Sequence, residues 1–194
     1  MMQRLVLAAD PDPDLWVRVP TSYPDTAGAT PQQWARAVAA DRARSTEDAA
    51  VLTRLLHDLA EHEAGADAGT VYLYLPDDGS PMQKVRLRAV PTEELGPVEP
   101  VSPLDPVEDV VDAEHLGRGT RAIVAGRAHE HTDDLLVTVV YRWELGWVTV
   151  LLTMATLDPG AAVAMLDLLD ELADDVWVED ESGALVTATE VTDV

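Results

Sequence analysis

The fold is decided by residues 135–156, LLVTVVYRWELGWVTVLLTMAT, a stretch dominated by β-branched and aromatic residues. Such residues favour extended strands. Because Gly146 interrupts the stretch, it predicts two strands, Leu135–Glu144 and Trp147–Thr156, joined by a tight turn. A third β segment at about 120–130 precedes them across a short acidic turn. Three consecutive strands of this kind are most simply arranged as an antiparallel meander.

An amphipathic helix is predicted directly after the meander. Asp158 is a good N-cap residue, and Pro159 suits the first helical position. Val163, Leu166 and Leu169 follow at helical spacing and form an apolar face. We expect this face to lie on the meander.

A β-hairpin is predicted upstream of the meander. Residues 70–75, TVYLYL, and residues 82–90, MQKVRLRAV, flank a turn that contains Asp-Asp-Gly-Ser. Apolar and polar residues alternate in the second segment, which indicates one buried and one solvated face.

A short strand at residues 15–19 and two helices precede the hairpin. Thr30, followed by Pro31, begins the first helix, and Ser45 caps the second, which runs to about Ala64. Strands and helices therefore occur in runs. This order predicts the α+β class, with an antiparallel sheet (hairpin plus three-stranded meander) packed against two or three helices.

We expect residues 1–194 to form a single α+β domain. Five prolines fall within residues 91–106, so a Pro-rich acidic connection is predicted at about 91–109. A small C-terminal β extension is predicted at about 176–194.

The composition excludes several classes of protein. With 13 Lys and Arg against 36 Asp and Glu, the net charge is −23, which opposes binding to nucleic acid and to anionic membranes. The second half, residues 98–194, has 21 acidic and 4 basic residues, a net charge of −17. The chain contains no cysteine, which excludes disulfides and thiol chemistry. It shows neither a secretory leader nor a membrane-spanning run, so a cytoplasmic location is expected.

One local motif suggests metal binding. His129 and His131 would project from the same face of a strand, and Asp133 is a nearby third ligand. The alternative is two polar residues at an exposed strand end beside a turn. No cofactor is otherwise expected.

Two groups of residues are candidates for binding a protein partner. Lys84, Arg86 and Arg88 form a basic stripe on one strand face, which suits an acidic partner or an acidic segment of a second copy. The alternative is a charged edge strand that resists sheet pairing.

Arg118 and Arg121 are two of the few bases in the acidic second half, where they could pair with its carboxylates.

The second group is aromatic and flanks the Gly146 turn: Tyr141, Trp143 and Trp147. If exposed, these rings would form an interaction hot spot. The alternative is that they pack in the core, because tryptophan is the principal large aromatic residue of a chain without phenylalanine.

The sequence resembles uncharacterised actinobacterial proteins of similar length. The resemblance rests on WVRVP at residues 16–20, a tryptophan helix at 31–39, YLYLP at 72–76 and EHLGRGTRA at 114–122. It implies no activity. The meander with its closing helix also resembles the Mog1/PsbP-type α/β/α sandwich, whose members mostly serve as binding or assembly factors.

These features favour a non-enzymatic cytosolic binding or assembly protein that recognises a protein partner or itself. Two alternatives remain open. The first is a metal-dependent enzyme that uses His129, His131 and a nearby Asp, and the second is a structural subunit of a phage or secretion assembly.

Overall fold

The computed structural model describes residues 5–66, 69–76, 80–95, 106–128 and 134–187. The strands in this part of the chain are β1 (Val6–Ala9), β2 (Trp16–Val19), β3 (Thr70–Tyr74), β4 (Gln83–Pro91), β5 (Val107–Ala113), β6 (Gly117–Arg127), β7 (Leu135–Glu144), β8 (Val148–Thr156) and β9 (Val176–Glu179). The helices are α1 (Pro31–Arg42), α2 (Thr46–Glu63), α3 (Pro159–Ala164) and α4 (Leu166–Asp174).

The chain divides into two compact units. The helical unit is Asp12–Lys84, and the sheet unit combines Met1–Pro11 with Val85–Val194. Both units mix helices with antiparallel strands, which confirms the predicted α+β class. The single domain expected for residues 1–194 stays a prediction.

The helical unit is built on strands β2 and β3 and the two helices between them. Trp16 pairs with Tyr74 and Val19 with Val71, in antiparallel register. The predicted helix starts are confirmed: the Thr30 hydroxyl accepts a hydrogen bond from the Gln33 N–H, and the Ser45 hydroxyl accepts one from the Asp48 N–H. The buried core of this unit comprises Val19, Trp34, Ala35, Ala39, Leu56, Ala60, Val71, Leu73 and Leu75.

The sheet unit contains an antiparallel sheet in the order β4-β8-β7-β6-β5. The predicted meander is its centre, formed by β6, β7 and β8. In addition, β1 pairs antiparallel with β9. The unit is richer in strands than a hairpin plus a meander, and β5 begins at Val107, inside the connection predicted at about 91–109.

One face of the central strands forms the core of the sheet unit. Leu152 pairs with Tyr141 on one side and with Leu87 on the other, and all three are buried. Alternate residues along the same strands continue this face. Its other buried members are Val85, Val137, Val139, Trp143, Val150 and Met154.

Helices α3 and α4 replace the single closing helix predicted after the meander. Asp158 caps α3 by accepting hydrogen bonds from the N–H groups of Gly160 and Ala161. The helix breaks at Met165, after which α4 continues to Asp174. The Tyr141 hydroxyl donates a hydrogen bond to Asp170 of α4, so α4 lies on the core face, and Leu169 is buried as expected. Val163, which was expected on the same apolar face, lies in α3 and is instead 70% exposed.

Across the described residues, no helix combines the length and apolar character that a membrane crossing requires.

Candidate functional site

The predicted metal ligands His129, His131 and Asp133 lie outside the described residues. Within the residues that are described, no group of three or more His, Asp or Glu side chains is arranged to hold a metal ion. The metal-site prediction therefore stays a prediction.

The basic stripe lies on β4 with the predicted alternation. Val85 and Leu87 are buried, whereas Lys84 is exposed and Arg86 and Arg88 are half-buried. Lys84 already has an anionic neighbour, because its Nζ lies 3.5 Å from Oε1 of the buried Glu63. The charge of Lys84 is therefore already paired with a carboxylate of the same chain.

The aromatic candidates are divided between core and surface. Tyr141 and Trp143 are only 1% and 0% exposed, and their rings stack with centroids 5.7 Å apart. Trp147 is 45% exposed at the turn between β7 and β8. The structure thus places two of these rings in the sheet core, and only Trp147 offers its ring to a partner at the surface.

A charged cluster joins β5, β6 and α4. Arg121 of β6 lies between two carboxylates: its Nη1 is 2.9 Å from Asp170 Oδ2, and its Nη2 is 3.4 Å from Asp109 Oδ2. The register of β5 and β6 pairs Asp109 directly with Arg121. The cluster contains one cation and two carboxylates, so it has a net negative charge.

Tyr141 extends the cluster into the core. Its hydroxyl lies 2.5 Å from Asp170 Oδ1, and the Arg121 guanidinium carbon lies 5.9 Å from the centre of its ring. Burial raises the pKa of Tyr141 above its usual value, and the hydrogen bond to Asp170 acts in the same direction. Tyr141 is therefore a neutral hydrogen-bond donor, with the chemistry of a structural anchor.

Strand β5 is the outer strand of this sheet. Within the described residues, β6 is its only strand partner. Its first four residues, Val107–Val110, are exposed, and Val107 and Val110 are more than half exposed. An outer strand of this kind presents backbone N–H and C=O groups in a row along its free edge. We call this feature the β5 edge, residues Val107–Ala113.

Comparison with known proteins finds no match: no family model fits the sequence, and neither a curated protein nor a solved structure is significantly similar to the chain. The actinobacterial and Mog1/PsbP resemblances therefore stay predictions.

The sequence did not reveal the β5 edge. Val107, Val110 and Val111 were a usable signal, because β-branched residues favour strands. The five prolines in residues 91–106 instead favoured a connection without a strand. The pairing of Arg121 with carboxylates was anticipated from charge, but the particular carboxylates, Asp109 and Asp170, were not.

Proposed function

We propose that this chain is a non-enzymatic, cytosolic binding or assembly protein that captures an extended segment of a protein partner along the β5 edge. The observation that carries this proposal is the exposed outer position of β5, which pairs through β6 on one side only among the described residues.

Strand addition is the mode of recognition that such an edge supports. The backbone of an incoming strand hydrogen-bonds to the free N–H and C=O groups, and alternate side chains contact the two faces of the sheet. Exposed Val107 and Val110 add apolar surface that an incoming strand would cover. The prolines of residues 91–106 precede β5 in the chain.

Two proline variants test this proposal. Adjacent residues in a strand direct their N–H groups to opposite edges, so Val110→Pro and Val111→Pro each remove a donor from a different edge. The variant that loses the donor on the β6 side should unfold at a clearly lower temperature. The other variant should keep its stability and lose the ability to bind a strand.

The probes are two capped peptides, TTVVTTVT and TKVVKKVT. Hydrogen exchange of the β5 amides, measured with and without peptide, reports whether a strand has been added. We expect at least one peptide to slow exchange in the native protein and not in the stable proline variant. If neither peptide protects β5, or if the stable proline variant is protected equally, the proposal is wrong.

The metal-dependent enzyme and the structural subunit remain alternatives. No contact among the described residues favours either of them, and the predicted metal ligands lie outside that part of the chain.

A further inference from the structure

The β5 edge carries negative charge and no positive charge. Its sequence, VEDVVDA, contains Glu108, Asp109 and Asp112, and all three side chains are exposed. Such charges hinder indiscriminate pairing of an outer strand. They also favour one kind of partner over others, because oppositely charged side chains stabilise directly opposed cross-strand pairs.

The strand register assigns each charge to a face of the sheet. Asp109 pairs with Arg121, on the face that carries α4. Glu108, Val110 and Asp112 alternate with it and therefore lie on the opposite face. An incoming strand would meet a carboxylate, a valine and a carboxylate on that face, and Asp109 between two valines on the α4 face.

From this arrangement we infer that the partner segment is a basic extended peptide, with Lys or Arg opposite Glu108, Asp109 and Asp112 and apolar residues opposite Val110 and Val111. This inference rests on the proposed function, since it names the partner that the same edge selects.

Asp109 has room for a second cation. Its contact with Arg121 is 3.4 Å, longer than the 2.9 Å contact between Arg121 and Asp170, and its side chain is 51% exposed. One guanidinium serves two carboxylates here, so a Lys or Arg of the partner would complete the neutralisation of the cluster. Asp109 is therefore one further position at which a basic residue of the partner is favoured.

A second copy of this chain does not fit the same edge. Pairing two β5 edges would bring their acidic side chains together in either strand direction, and like charges opposed across strands are destabilising. The net charge of −23 adds long-range repulsion between copies and attracts a basic segment. Charge complementarity thus favours a different, basic partner.

The test compares three capped peptides that share one strand pattern: basic TKVVKKVT, neutral TTVVTTVT and acidic TEVVEEVT. In antiparallel register, the three charged positions of the peptide lie opposite Asp112, Asp109 and Glu108. Affinity is measured by isothermal titration calorimetry, and the place of binding by hydrogen exchange of the β5 amides. We expect the basic peptide to bind about tenfold or more tightly than the neutral one, and this advantage to shrink as salt is raised.

Charge-reversal variants locate the effect. Glu108→Lys combined with Asp112→Lys should abolish the preference for the basic peptide and shift it toward the acidic one. The matched control is Asp167→Lys combined with Glu171→Lys, which makes the same change in net charge at two exposed positions on α4. The control should retain the basic preference.

The outcomes separate this inference from the proposed function. If neutral and basic peptides protect β5 and bind equally well, the basic-partner inference is overturned and strand addition stands. If the α4 control loses the preference as completely as the β5 variant does, general charge attraction replaces the specific pairing and the inference is also overturned. If no peptide protects β5, the proposed function itself fails.

Discussion

The indole ring of Trp143 lies directly against Gly119 on the neighbouring strand. A Cβ atom placed on Gly119 would lie 2.5 Å from Trp143 Cδ1 and 2.6 Å from Nε1, both far inside van der Waals contact. Trp143 is fully buried, so its ring cannot move into solvent. Glycine at this position in β6 therefore serves close packing, as glycine in a strand interior often does.

Replacing this glycine should destabilise the sheet unit. In Gly119→Ala the added methyl group also meets the backbone carbonyl of Arg142, at 2.6 Å, which a rotamer change cannot relieve. We expect a loss of about 1–3 kcal/mol in the free energy of unfolding, the usual cost of overpacking. Chemical denaturation monitored by tryptophan fluorescence provides the measurement.

The neighbouring exposed residue supplies the control for that variant. Thr120→Ala lies on the same strand and should change the stability by no more than about 0.5 kcal/mol, as surface substitutions usually do. A Gly119→Ala protein as stable as Thr120→Ala would contradict the packing argument.

Removal of the Tyr141 hydroxyl should lower the stability of the protein at neutral pH. The variant should also lose less stability than the native protein when the pH is raised into the alkaline range. Tyr141→Phe deletes the 2.5 Å hydrogen bond to Asp170, which should cost about 1–2 kcal/mol because the acceptor is charged. Burial raises the pKa of Tyr141 above its usual 10.0. Its stabilising contribution is therefore complete below pH 10 and declines as the pH rises from there toward the raised pKa.

A comparison of thermal unfolding between pH 7 and pH 12 tests this. The stability of the native protein should approach that of Tyr141→Phe as the pH rises above about 10. Burial also raises the pKa of Tyr23, but that contribution is common to both proteins. Parallel pH curves for the two proteins would show that the Tyr141 hydroxyl does not titrate as proposed.

The Arg121–Asp170 pair should show measurable coupling energy. Both oxygens of Asp170 lie within hydrogen-bonding distance of Arg121 Nη1, and the Arg121 side chain is only 17% exposed. Arg121→Gln leaves Asp170 and Asp109 without their shared cation, and we expect a loss of about 1–2 kcal/mol, between the values for exposed and buried pairs. Asp170→Asn should cost less, because Arg121 keeps Asp109.

A double-mutant cycle isolates the pair. The combined variant should be more stable than the sum of the two single losses predicts, by about 0.5–1 kcal/mol. Strict additivity in urea denaturation would mean that the two side chains do not stabilise one another.

Much of the fold could be predicted because its central strands and helix starts depend on local sequence. The β-branched and aromatic residues of Leu135–Glu144 and the cap residues Thr30, Ser45 and Asp158 predicted elements that the structure confirms. β1 escaped prediction because it is only four residues long and pairs with β9 at the opposite end of the chain. Pairing over that distance leaves no local signal.

The candidate site was less predictable because edges depend on strand order. No periodicity in VEDVVDA shows that β5 is the outer strand, and its upstream prolines favoured a connection instead. The same difficulty affected Trp143 and Trp147, which lie close together in sequence but differ completely in burial. Trp143 lies within β7 and stacks on Tyr141, whereas Trp147 lies in the turn before β8.

A last prediction concerns Asp175, which follows α4. Burial raises its pKa, and the carboxylates of Asp10 and Asp174 act in the same direction. Ionised Asp175 therefore costs stability at neutral pH, and this cost is relieved as the pH falls through the raised pKa toward the unfolded value near 4. Asp175→Asn should raise the melting temperature at pH 7, by an amount equivalent to less than about 1 kcal/mol because the group is partly solvated. The gain should fade by about pH 4. The control is Glu171→Gln at an exposed position, which removes the same net charge and should raise the melting temperature at pH 7 by less. An equal rise in both variants would show that overall charge repulsion causes the effect. A lower melting temperature in Asp175→Asn would show that ionised Asp175 stabilises the protein.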